Sequence, residues 1–406
     1  LKRFHKNHLY YIRFEMTEGN PIMRTRITGG KLVMPQEVIT GQALVIEDGK
    51  ISVIEPDSSA VPADSVIDAR GMWVAPGLID VHVHGGSGHD TMDATPEAIH
   101  GMARFFAEHG VTSYYPTTMT APADAIIAAI ENVARCPQPL DGAQHLGVHV
   151  EGPYINTAFP GAQPASDIRL PDPAEYQRWL ESGIVRLITV APEVEGAAEL
   201  IELGVSQGIE FAAGHTGASY EEILEAADHG LRQATHTFNA MLGLHHRSPG
   251  TLGGALTDDR IYAQLIGDGI HVHPAMVKLL ARAKGAKRTI LITDSMRAAG
   301  LQDGLYDLGA QPITVKDGIA RTVSGALAGS TATLDAVLRN VINFAGISLP
   351  EALIMGTATP AEAMGLAGRK GTLKPGADAD VILLDEDLTV RMTIVCGRVV
   401  FNNTEA

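Results

Sequence analysis

Histidines and carboxylates recur along this chain at the ends of apolar runs. In the stretch GLIDVHVHG, His82 and His84 stand one residue apart. Successive strand side chains alternate faces, so the two imidazoles point one way while Val81 and Val83 point the other. The pattern returns with His149 and Glu151 in HVEGPY, His215 in GHT, His236 in THTFNAM, Asp268 and His271 in DGIHV, and Asp294 in LITDSM. Each residue has an ordinary reading on its own. A strand-end histidine is usually hydrogen-bonded core or surface, Glu151 alone can be a surface charge, and Asp294 can cap a following helix. Only the His-X-His pair resists that reading singly. Gathered at one place, however, His82, His84, His215, His236, Glu151 and Asp294 form a costly cluster unless a cation satisfies them. The set offers nitrogen and oxygen without thiolate, which suits Zn²⁺, Fe²⁺, Co²⁺ or Mn²⁺. It exceeds the three protein ligands usual at one catalytic zinc. The expectation is one or two divalent ions per subunit, with Glu151 bridging if there are two. The implied chemistry is hydrolysis, because a bound ion lowers the pKa of water and makes hydroxide available near neutral pH. Asp294 would take that proton and return it to a leaving group.

Something must bring these residues together. Eight apolar runs carry them, at 78–84, 111–118, 146–152, 185–192, 209–216, 233–240, 262–272 and 288–295. Helical patterns such as TPEAIHGMARFFAEHG and SYEEILEAADHG lie between most of the runs. Strands alternating with helices predict a parallel sheet, and eight repeats predict an α/β fold of the (β/α)8 TIM-barrel type. The C-terminal strand ends of such a barrel converge on one mouth, where its chemistry sits. A doubly wound open sheet is the alternative, but no Gly-rich phosphate loop follows the first run. The flanks differ in texture. Residues 24–75 read as short strands broken at Gly29-Gly30 and Asp48-Gly49, and the tail from 371 repeats that texture. The Gly-rich segment 296–330 reads either as a lid or as a surface hairpin.

Composition narrows the function further. A formal net charge of −16 argues against a nucleic-acid partner. The two cysteines, Cys136 and Cys396, lie far apart, which fits a reducing cytoplasm rather than a disulfide framework. No apolar run approaches the roughly 20 residues of a spanning helix, so no membrane association is expected. The opening residues are basic and aromatic without the apolar core of a secretory signal. Met16 and Met23 offer natural starts, so residues 1–23 are expected to be a non-native or disordered leader.

The segments HVHG, HVEGPY, GHT, THTFNAM, DGIHV and LITDSM, in that order, resemble the amidohydrolase superfamily. Within it they are similar to the N-acetylglucosamine-6-phosphate deacetylases, over about residues 24–403. The resemblance implies a small β-sandwich built from 24–75 plus 371–406 and a catalytic barrel over 76–370. It implies that His82 and His84 bind one metal, most simply zinc, and that Glu151, His215 and His236 hold the other. Many relatives bridge two metals with a carboxylated lysine; these deacetylases place a glutamate there, as HVEGPY does. Asp294 becomes the general acid/base. Asn239, the backbone N–H of Ala240, and Arg247 become the phosphate site, with His271 on the sugar or its acetamide. In the family that arginine can come from a neighbouring subunit, which implies a homodimer. Arg247 otherwise reads as a solvated loop residue. One departure concerns Gln163, where some relatives carry histidine. A glutamine donates a hydrogen bond but is never cationic, so carbonyl polarisation would fall more heavily on the metals.

The implied reaction is deacetylation of N-acetylglucosamine 6-phosphate to glucosamine 6-phosphate and acetate. The galactosamine epimer stays open as substrate, as does N-acyl-amino-acid or cyclic-amide hydrolysis on the same scaffold. A different class, a catalytically silent barrel acting as a binding protein, would usually have lost metal ligands; here every one is present.

Overall fold

The computed structural model describes residues 23–404, so the expected leader lies outside the described residues apart from Met23. At its centre eight parallel strands run in chain order around a barrel. They are β1 (Leu78–Val83), β2 (Val111–Thr118), β3 (Val148–Glu151) and β4 (Val185–Val190). The circuit continues through β5 (Glu210–Ala213), β6 (Gln233–Ala234), β7 (Tyr262–Ile266) and β8 (Thr289–Ile292). Each of the eight apolar runs supplies one strand, and the open doubly wound sheet is set aside. Every residue of β1 and β2 is buried. Side chains are covered on both faces, inside the barrel and under the helices, which is why the runs are nearly continuous in apolar character. The helices between them begin on local signals. Thr95 accepts a hydrogen bond from the Ala98 N–H ahead of Pro96–Glu108, and Ser219 with Glu222 forms a capping box ahead of Tyr220–Asp228.

The seam between β8 and β1 is built differently. No ladder pairing joins these two strands among the described residues. Hydrogen bonds at and just beyond their ends close the barrel instead: Asp294 N–H to His82 O at 2.9 Å and His84 N–H to Ser295 O at 2.9 Å. Thr293 Oγ1 also donates to Asp80 Oδ2 at 2.6 Å.

The first and last strands of the described residues build two sheets beside the barrel. A four-stranded sheet takes Lys50–Pro56, Gln42–Glu47, Arg24–Thr28 and Ser65–Asp68 in that order. A six-stranded sheet takes Arg398–Asn402, Val390–Val395, Val381–Leu384, Trp73–Pro76, Lys31–Val33 and Val38–Ile39. Ile27, Leu44, Val74, Val381 and Ile394 pack between them. The strand Trp73–Pro76 passes through Gly77 directly into β1. A Cβ on Gly77 would lie 2.2 Å from the Thr112 side chain, so this close approach admits only glycine. Lys370 is buried nearby, with its ammonium 2.5 Å from Asp380, 3.2 Å from Asp378 and 3.0 Å from Gln144. Lys370→Met leaves buried Asp380 without a cation, while Asp378 keeps Lys50 and Arg369, and is expected to cost about 3–5 kcal/mol. Equilibrium urea unfolding measures that loss.

Segment 296–330 contains an antiparallel three-stranded sheet, Gly304–Leu308, Gln311–Lys316 and Ile319–Thr322. Its Leu308, Ile313, Val315 and Ala320 pack against Met119, Met296 and Ala328. It forms a packed roof at the mouth rather than a free surface hairpin. Among the described residues, no helix is long and apolar enough to cross a membrane.

Candidate metal centre

The strand ends deliver two triads to the mouth. His82 and His84 leave β1 beside Asp294, which follows β8, while Glu151 at the end of β3 faces His215 after β5 and His236 after β6. The ligand atoms within each triad, His82/His84/Asp294 and Glu151/His215/His236, lie within 4.8 Å of one another. The triads touch. Glu151 Oε1 is 3.4 Å from His82 Nε2, 3.3 Å from His215 Nε2 and 3.2 Å from His236 Nε2. Its other oxygen lies 3.2 Å from His84 Nε2. Asp294 Oδ1 sits 3.3 Å from His84 Nε2 and 3.5 Å from His82 Nε2. All six side chains are buried.

The second ring nitrogens set which form each imidazole takes. His84 Nδ1 lies 3.2 Å from Thr117 O and His215 Nδ1 3.0 Å from Phe159 O. His82 Nδ1 lies 3.3 Å from Gln264 Oε1, whose amide nitrogen donates to Gln233 Oε1 at 3.0 Å. These oxygens only accept, so each Nδ1 carries a hydrogen and Nε2 is the ring nitrogen that faces the centre. The Nε2 atoms converge, those of His215 and His236 being 3.1 Å apart. Glu151 Oε1 is buried among them with no hydrogen-bond partner. An orphaned carboxylate oxygen surrounded by imidazole nitrogens is what a divalent cation satisfies, and the donor set fits one.

Electrostatics agree. Burial pushes the Glu151 carboxyl up, but the surrounding imidazoles, His82 foremost, outweigh it and hold the group well below the usual range. The Asp294 carboxyl is likewise lowered, against burial, by His82 and His84. His84 is raised well above an ordinary imidazole although burial opposes it, because Asp294 and Glu151 favour its cation. The centre is thus two carboxylates seeking positive charge. His215, His236 and Asp294 reach it with left-handed backbones, at φ of 51°, 29° and 49°, a region costly for residues other than glycine. Asp294 is held there at both ends, by His82 O on its N–H and by the Ser330 N–H on its carbonyl.

A cavity of about 220 Å³ opens onto this cluster. Gln163, Asn239, Ala240 and His271 line it together with Glu151, His215, His236, Asp294, Leu308 and Leu327. Gln163 is fixed: its carbonyl accepts from the Thr120 N–H at 2.8 Å and its amide donates to Glu151 Oε2 at 2.8 Å. Asn239 donates to the carbonyl of His236 at 3.2 Å. His271 is held by Asp268 at 2.6 Å, and that carboxylate raises its pKa although burial pulls the other way. Arg247 is not brought in. It sits in an exposed loop against His246 at 2.8 Å and lies outside the cavity lining of a single chain. His149 is no ligand either; burial first, then neighbouring His82, keep it neutral, and it bonds Thr189 at 2.7 Å. The sequence reading passed over Asp80, Thr293, Gln264 and Gln233. The available signal was a polar residue inside an otherwise apolar strand run.

Residues 73–400 match the Amidohydrolase family. The chain is 39% identical over 371 residues to the N-acetylgalactosamine-6-phosphate deacetylase of Escherichia coli O157:H7, covering 91% of this chain and 97% of that protein. It is 38% identical over 380 residues to the N-acetylglucosamine-6-phosphate deacetylase of Vibrio furnissii, covering 93% and 94%. Among solved structures, a mutant N-acetyl-D-glucosamine-6-phosphate deacetylase from Mycobacterium smegmatis, in complex with N-acetyl-D-glucosamine-6-phosphate, superposes with a TM-score of 0.86. That match has 32% identity and covers 94% of this chain and all of that one.

Proposed function

The chain belongs to the amidohydrolase family, and on that premise we propose that it removes the acetyl group from N-acetylglucosamine 6-phosphate, yielding glucosamine 6-phosphate and acetate. The observation that carries this reading is the orphaned Glu151 oxygen facing three imidazole Nε2 atoms at 3.2–3.4 Å. Glu151, His215 and His236 would hold one ion and His82, His84 and Asp294 a second; zinc suits the nitrogen and oxygen donors. Such ions acidify water and polarise a carbonyl. Asp294 takes the proton of the attacking water and delivers it to the departing amine. Gln163 has two amide N–H groups, and with one on Glu151 the other is left for the acetamide oxygen. Asn239 and the Ala240 N–H receive the phosphate, and His271 holds the sugar. Arg247, outside the cavity of its own chain, would serve the phosphate site of a neighbouring subunit in a homodimer, as the family resemblance implies. We place catalysis in the barrel over 76–370, with the sandwich of 24–75 plus 371–406 as its base. Two cysteines without a disulfide support a cytoplasmic setting.

The test compares N-acetylglucosamine with its 6-phosphate. The phosphorylated sugar is expected to show the higher kcat/KM by about 100-fold or more, since bidentate charged contacts are each worth roughly 1.5–3 kcal/mol. Equal rates would remove phosphate from the reading. Arg247→Ala is expected to raise KM for the phosphorylated substrate about tenfold or more, with kcat nearly unchanged. The galactosamine epimer is a second reading, supported by the comparable similarity to a deacetylase of that sugar. A tenfold preference for it in the same assay would replace the first.

A further inference from the structure

Asp80 is buried inside β1, one alternation below His82. An isolated carboxylate there would be costly, yet both of its oxygens are engaged. Oδ1 accepts the His82 N–H at 3.2 Å and the Thr293 N–H at 3.4 Å, and Oδ2 accepts the Thr293 hydroxyl at 2.6 Å. The same hydroxyl oxygen accepts the Ser295 N–H at 3.2 Å. Thr293 therefore brackets Asp294, donating on one side of it and accepting from the other. That bracket sits where β8 and β1 lack ladder pairing, and it encloses the residue whose backbone is left-handed at φ 49°. His82, His84 and Asp294 come from the two sides of this seam, so their spacing depends on what staples it. The Glu151, His215 and His236 triad comes from strands joined by parallel ladder pairing, with one register shift at Val148/His149.

From this juxtaposition we propose that Asp80 and Thr293 are positioning residues that set the His82/His84/Asp294 group, acting through the relay Ser295 N–H to Thr293 Oγ1 to Asp80. The proposal rests on the reading that this group holds an ion. Without the relay only the backbone bonds across the seam remain, Asp294 N–H to His82 O and His84 N–H to Ser295 O, so the His82/His84/Asp294 spacing loosens while the other triad keeps its form. The hydroxyl is the agent, so Thr293→Val, which preserves shape, removes it, and Thr293→Ser restores it. Asp80→Asn keeps the side-chain size but points an amide donor at Thr293 in place of an acceptor.

The experiment titrates metal-depleted full-length protein with Co²⁺, followed by calorimetry and visible absorption, beside steady-state kinetics of the reloaded enzyme. For Thr293→Val and Asp80→Asn, affinity for the second Co²⁺ is expected to fall about 10–100-fold and kcat to fall similarly, the range for losing an outer hydrogen bond at a metal site. KM and the first Co²⁺ affinity should hold, and Thr293→Ser should return all values to within about threefold of wild type. Unchanged Co²⁺ affinity and kcat in Thr293→Val would overturn the proposal. So would equal losses in Thr293→Val and Thr293→Ser, since packing rather than the hydroxyl would then be responsible. If wild type takes up one Co²⁺ only, the two-ion reading fails, and the relay stands or falls on whether serine restores the kcat that valine removes. If Thr293→Val does not fold, Asp80→Asn decides by the same readouts.

Discussion

Asp294→Asn lowers kcat by about 100- to 10,000-fold, the range a positioned general acid/base contributes, while leaving KM close to wild type. The substitution keeps the volume of the side chain, and asparagine tolerates the left-handed backbone that Asp294 adopts at φ 49°. The backbone bonds to His82 O and from the Ser330 N–H are therefore kept. What is lost is the ability to hold a proton between the attacking water and the departing amine. An amine expelled from an acetamide without a proton is a very poor leaving group, so the step that separates acetate from the amino sugar slows most. Metal content separates this account from a trivial one. The Glu151, His215 and His236 triad is untouched, so at least one ion per subunit should remain by elemental analysis. Near-wild-type turnover would show that another group moves the proton.

The barrel was legible because its strands are covered on both faces and leave nearly continuous apolar runs in the sequence. Its mouth was legible because those runs end in polar residues that a core has no use for. The reading failed where backbone conformation rather than residue type decides. The run at 233–240 suggests a strand of ordinary length, yet β6 is only Gln233–Ala234. The chain leaves the sheet there so that His236, at φ 29°, can turn its ring toward His215. Hydropathy carries no record of a left-handed residue. Asp80 was hidden differently. It sits within GLIDVHVHG, and its partner Thr293 is more than 200 residues away, across a seam that no local pattern marks. Arg247 shows a third limit: a motif can nominate a cation, but a single chain places it in solvent, outside its own cavity.

Glu151→Gln should be the most damaging conservative change in the protein, and it should do so without unfolding it. Glu151 is the one group in contact with all four imidazoles, through Oε1 to His82, His215 and His236 and through Oε2 to His84. The orientation of the new amide is dictated by its surroundings. Gln163 donates to Oε2, and its own orientation is fixed by the Thr120 N–H. The amide oxygen must therefore take the Oε2 position, which places the NH₂ at the Oε1 position among the Nε2 atoms. There it donates hydrogen bonds to the atoms that would otherwise bind metal, and it also removes the negative charge shared by both triads. Metal per subunit should drop from stoichiometric to near zero, and kcat/KM should fall by about 1,000-fold or more, the combined loss of metal and of general-base chemistry. Stability gives the opposite signature. Added Zn²⁺ at about 100 times its Kd stabilises wild type by about 2.7 kcal/mol, whereas the variant should show no shift. In the absence of metal, the variant should melt no lower than wild type, because the new amide satisfies groups left facing one another in the metal-free centre. A variant that kept stoichiometric metal would mean that Glu151 is not a ligand, and a variant that melted well below metal-free wild type would mean that its carboxylate chiefly holds the fold.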